Sequence, residues 1–169
     1  MTIEPWLNGT IAGMPKMLMP AAHALMQAQE DIARHAGKLT SEELWMKPNG
    51  VPSVGFHLLH INGSIDRLLT YTKGEALTSA QFEFLKREQE SEQNETAEAL
   101  VEAVNIRVTE ALHFMRSLPE EEYFAERFVG RAKLKTNVFG LIFHIAEHTQ
   151  RHVGSNGRCG WCWQSLCRW

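Results

Sequence analysis

The stretch 137–154, "NVFGLIFHIAEHTQRHVG", decides how this chain folds. Val138, Leu141 and Ile145 recur at steps of three and four, the apolar seam of a helix that faces a core. Carried forward, the same rhythm lands on His148 and His152. Either Thr136 or Asn137 is a suitable cap for its start. A core helix that sets imidazoles where leucines belong needs a reason for them.

Three further segments share the helical period. From about Gly13 to Ala36, the residues Met14, Leu18, Ala21, Leu25, Ala28 and Ile32 form a seam with heptad spacing. The stretch 37–53 then breaks the pattern: "TSEEL" reads as a capped single turn, and Pro48, Asn49, Gly50 and Pro52 as loop. Ser53 caps a second segment carrying Val54, Leu58, Ile61, Ile65, Leu68 and Leu69, which stops near Gly74. After the polar run "REQESEQNET", a third segment spans about Asn94 to Ser117, with Ala97, Val101, Val104, Val108, Ala111 and Met115 on its seam. The link from Leu118 to Lys135 has room for one short turn. No repeat, low-complexity tract or clear alternating strand interrupts this order, so the expected fold is all-α, a four-helix bundle.

The bulk numbers suit that reading. A length of 169 residues fits one domain with a full core, and 44% hydrophobic with 22% charged residues is ordinary for a globular chain. A net charge of -3 and no Lys/Arg patch argue against nucleic acid as a partner. No apolar run reaches the roughly 18 residues of a membrane span, and the N-terminus lacks the basic and apolar regions of a signal peptide. The expected compartment is cytoplasmic.

Residues four apart on a helix are neighbours, so His148 and His152 can converge on one cation. Zinc accepts neutral histidine nitrogen at about 2.0–2.1 Å. A further ligand must come from another helix, and "FHLLH" in the second segment offers His57 and His60. In bundles, metal sites are built from side chains on facing helices. The competing account makes each a packed core histidine. Several such rings without partners would each cost roughly 1–3 kcal/mol, a cost that a shared ion removes.

Two motifs, "SVGFHLLHINGSIDRLL" (53–69) and "IFHIAEHTQRHVG" (142–154), carry a resemblance. The chain resembles the DinB/YfiT-like superfamily of four-helix-bundle metalloproteins over nearly all of residues 1–154. That resemblance implies a divalent metal held by His60, His148 and His152, with His57 and His144 lining or supporting the site. Ser64 and Asn105 lie near the inward helix faces as further cavity candidates. Three nitrogens leave a coordination position open, so the catalytic group is expected to be a metal-bound water or a thiolate rather than a side chain. Zinc suits the ligands best; nickel, iron, copper and manganese are alternatives.

Relatives of two kinds are implied: transferases that use a low-molecular-weight thiol, and metal-dependent hydrolases, both acting on a small-molecule substrate. Homodimers are common among them. The alternative is a non-catalytic, stress-related metal-binding or sensing module whose metal is structural. No general base is evident. Glu147 reads as an i,i+4 partner of Arg151, Asp66 and Arg67 as structural, and His23, His35 and His113 as ordinary histidines.

Residues 155–169 stand apart as a Cys/Trp-rich tail, "SNGRCGWCWQSLCRW", with Cys159, Cys162 and Cys167. One C-x-x-C is weak support for a metal or redox role. The abrupt change of composition where a helix should continue suggests a departure from the natural reading frame. A divergent tail that packs its tryptophans on the bundle is the other reading.

Overall fold

The computed structural model describes residues 3–89 and 94–156. The last helix runs through Ser155 and Asn156, the first two residues of the tail; the remainder of the tail, with its three cysteines, lies outside the described residues. After two short 3₁₀ turns the chain enters α1 (Met19–Ala36), then α2 (Ser41–Trp45), α3 (Val54–Thr72), α4 (Ser79–Arg87) and α5 (Ala97–Ser117). A hairpin of β1 (Glu126–Val129) and β2 (Leu134–Asn137) leads into α6 (Val138–Asn156). The class is all-α, as the periodicity requires.

The long helices α1, α3, α5 and α6 close a ring in which α3 packs on α5 and α6, and α1 packs on the same two. Their seams meet in one core. Leu25 and Ile32 of α1, Leu58, Ile61 and Ile65 of α3, Val104 and Val108 of α5 and Ile142 of α6 are all fully buried. α3 and α6 are therefore neighbours along their length, which brings the two histidine-bearing motifs face to face.

The helix starts follow their caps. Ser53 Oγ accepts from the Phe56 amide at 3.1 Å, and Thr96 caps α5 through the Ala99 amide at 3.3 Å. The "TSEEL" turn is real: Thr40 and Glu43 form a reciprocal capping box at the start of α2. Asn137 caps α6, its Oδ1 accepting from the Gly140 amide at 2.7 Å.

Besides α1, which starts at Met19 and not near Gly13, two elements depart from the sequence expectation. The hairpin supplies strand where no alternation was legible; each strand has only four residues, too few for a period-two pattern to stand out. Its register pairs Glu126 with Asn137 and Val129 with Leu134. Arg127 Nε donates to the Thr72 carbonyl at 2.7 Å and fastens the hairpin to the end of α3. The second departure is α4, which occupies a link not expected to hold a helix. A Thr78–Gln81 capping box starts it, and Gln81 Nε2 donates to Asp66 Oδ2 and Thr70 Oγ1, both at 2.8 Å, laying it on α3.

Candidate metal centre

His60 stands in the N-terminal half of α3, and His148 and His152 lie one turn apart in the C-terminal half of α6. One ring nitrogen from each falls within 4.8 Å of the other two. Nε2 of His60 is 3.0 Å from Nε2 of His148, and the His60 and His152 ring centroids are 4.5 Å apart. The same heptad steps that turn Ile142 and Ile145 into the core turn these rings toward α3. Among the described residues this is the group of side chains that could hold a metal ion.

Glu88 fixes the orientation of His60. Its Oε2 lies 2.9 Å from His60 Nδ1, and a carboxylate only accepts, so Nδ1 carries the proton and Nε2 presents its lone pair to the cluster. The carboxylate is itself held by Arg67, with Nη1 to Oε1 at 2.6 Å and Nη2 to Oε2 at 3.3 Å. Glu88 is 3% exposed, which is tolerable for a charge only because both oxygens are paired. Gly63 makes the approach possible: a Cβ there would overlap the Glu88 carboxylate and stand 2.7 Å from Arg67 Nη1.

The other two rings are kept neutral. Burial, then the neighbouring His60 and His144, pushes the His148 pKa down to about 4. Burial, then His60 and His148, pushes His152 down to about 3. Unprotonated imidazoles have lone pairs to give, as a borderline-soft divalent ion requires. The donor set therefore fits the metal that the sequence motifs imply. Three nitrogens without a fourth protein donor among the described residues are the ligand count of a site with room for an outside group.

His57 is 5% exposed, and its Nδ1 lies 2.8 Å from His152 Nδ1. That contact leaves the opposite edge of His152 for the cluster. His57 Nε2 is buried without a partner, and burial, then His60, pushes the ring down to about 4. Arg151 Nη2 is 3.3 Å from His148 Nδ1 and also pairs with Glu147, the i,i+4 contact expected from sequence.

A cleft of about 900 Å³ opens beside the cluster, with His148 in its wall together with Ser64 and His144. His144 is about half exposed, with Nδ1 3.3 Å from Glu147 Oε2. Ser64 is buried and donates to the Ile61 carbonyl at 3.1 Å. Asn105 is not among the residues lining this cleft; its carbonyl accepts from Gln29 Nε2 of α1 at 3.3 Å. Asp66 pairs with Arg107 at 2.9 Å, a structural contact. Glu88 was invisible in the sequence, one carboxylate in a charged run, whereas the T-x-x-Q box at Thr78 could have exposed α4.

A family model described as the DinB superfamily matches residues 24–155, which includes all three histidines and Glu88. No curated protein matches the chain.

Proposed function

The chain belongs to the DinB superfamily, and on that footing we propose that it is a metal-dependent enzyme acting on a small molecule. His60, His148 and His152 would hold one divalent ion, with zinc the best fit to three neutral imidazoles. The convergence of their nitrogens within 4.8 Å is the observation that carries this reading. The ion supplies a Lewis acid with space for one exogenous group.

The surrounding residues have separate tasks. Glu88 holds the His60 proton on Nδ1, and Arg67 holds Glu88. His57 holds the far edge of His152. The cleft admits the substrate along α3 and α6, where Ser64 and His144 would meet it. Thiol-dependent transfer and hydrolysis are the two reaction classes this arrangement serves, since both need one open position next to an apolar recess.

Elemental analysis of protein purified without chelator tests the centre. The expected result is about one divalent ion per chain, lost in His148→Ala and in His152→Ala. Metal-free wild-type protein would refute it. Cobalt substitution then separates the reactions: low-molecular-weight thiols shift the visible spectrum of a transferase site. A spectrum unmoved by any thiol removes the transferase and leaves hydrolysis. A site that exchanges neither water nor thiol marks a structural ion, as in a sensing module, and refutes the enzyme.

A further inference from the structure

The cleft beside the three histidines has a chemical polarity that the metal reading does not use. Its walls are largely apolar, with Leu68 of α3, Leu77, Phe82 and Leu85 around α4, and Phe128 of the hairpin. The hairpin turn contributes two cations to the wall, Arg131 and Lys133, and α6 contributes His148 of the three-histidine cluster. Arg67 also lines the space, but its charge is matched by Glu88.

Arg131 and Lys133 differ from Arg67. Neither has a carboxylate partner among the described residues, although the chain as a whole carries a net charge of -3. Both sit in the turn of the hairpin, where Gly130 has φ +70 and Lys133 φ +47 and the Lys133 amide donates to the Gly130 carbonyl at 3.1 Å. The turn is fixed at its base by the Val129–Leu134 pair and by Arg127 on the end of α3. Two cations are thus displayed on the cleft wall by a braced loop, and Glu75 is the one carboxylate residue among those lining the cleft.

A pocket with an apolar body and a few placed polar groups selects a ligand of the same pattern. We infer that the cleft takes an amphipathic small molecule whose anionic group, a carboxylate, sulfonate or phosphate, is held by Arg131 and Lys133 while its apolar body lies against Phe82 and Leu85. This rests on the metal-enzyme reading, because it places the other end of that molecule at the three-histidine centre.

The test uses two fluorescent probes of one shape and different charge, anilinonaphthalene sulfonate and neutral N-phenyl-1-naphthylamine. Arg131→Gln combined with Lys133→Asn removes the cations without adding an anion, and asparagine tolerates the positive φ at 133. The double variant should weaken sulfonate binding roughly tenfold and leave the neutral probe unchanged. Added salt should weaken sulfonate binding to wild type and have much less effect on the variant. Phe82→Ala should weaken both probes, which locates them in this cleft. Equal effects of the double variant on both probes, no effect on either, or indifference to Phe82→Ala would each overturn the inference. Metal content, measured on the same samples, reports separately on the three-histidine centre, so a failed cleft and a failed metal site are told apart.

Discussion

Glu88 Oε2 lies 2.9 Å from His60 Nδ1, and it comes from the end of α4, an element outside the four-helix ring. The bundle supplies the three imidazoles, but the tautomer of one of them is decided by an added helix. Glu88→Gln keeps an acceptor while removing the charge that favours the Nδ1 proton. Metal affinity should fall roughly 10- to 100-fold, the usual effect of losing an outer-shell carboxylate. Competition against a chromophoric chelator measures it, and an unchanged affinity would mean that Glu88 serves stability alone.

Arg151 and a bound ion make opposite demands on His148. The guanidinium can only donate, so its 3.3 Å contact asks for a lone pair on Nδ1, whereas an ion on Nε2 asks for a proton there. Arg151→Ala should therefore tighten metal binding by roughly two- to fivefold, a small effect because the side chain is largely exposed. Weaker binding in the same chelator competition would show that Arg151 supports the site through Glu147.

Gly63→Ala should act at a distance from the ion. The new methyl group would displace Glu88 or Arg67, breaking a buried pair. A loss of stability of about 1–3 kcal/mol, with weakened metal binding, is expected from denaturant titration of loaded and stripped protein. Native-like values for both would mean that α4 shifts away from α3 without cost.

The stripped protein should be acid-sensitive. His57 and His148 are depressed to about 4 and His152 to about 3, from 6.5 in an unfolded chain. As pH falls below about 6.5, the unfolded state takes up protons that the folded state refuses. Their contribution to stability is complete above that pH and is lost progressively as pH falls through about 4 to 3. Urea unfolding between pH 7.5 and 5.5, above most carboxylate titration, should show a falling midpoint. His152→Gln should show a shallower dependence, and equal slopes in the two proteins would contradict the assignment.

The bundle was legible because burial in a helix leaves a periodic mark. Leu25, Ala28 and Ile32, or Val104 and Val108, declare their face through spacing alone. The inward aim of His148 and His152 was readable by the same rule, as extensions of the Leu141–Ile145 seam. Periodicity left His57 and His60 both open; the family resemblance favoured His60, and the structure brings His60 into the three-nitrogen cluster while setting His57 against His152. Glu88 leaves no such mark. Its burial depends on Arg67, Gly63 and the docking of α4, contacts that exist only after the chain has folded. The hairpin was hidden for a related reason, since strands of four residues are held by pairing and by Arg127 more than by their own pattern.

Strand β2 passes into α6 at Asn137 with no intervening residue, so the loop at 130–133 and the imidazoles of α6 belong to one continuous run of chain. That loop can nevertheless change length and composition without disturbing a single core seam. Redrawing the tip would thus change one wall of the cleft and leave the helix positions that bear His148 and His152 as they are.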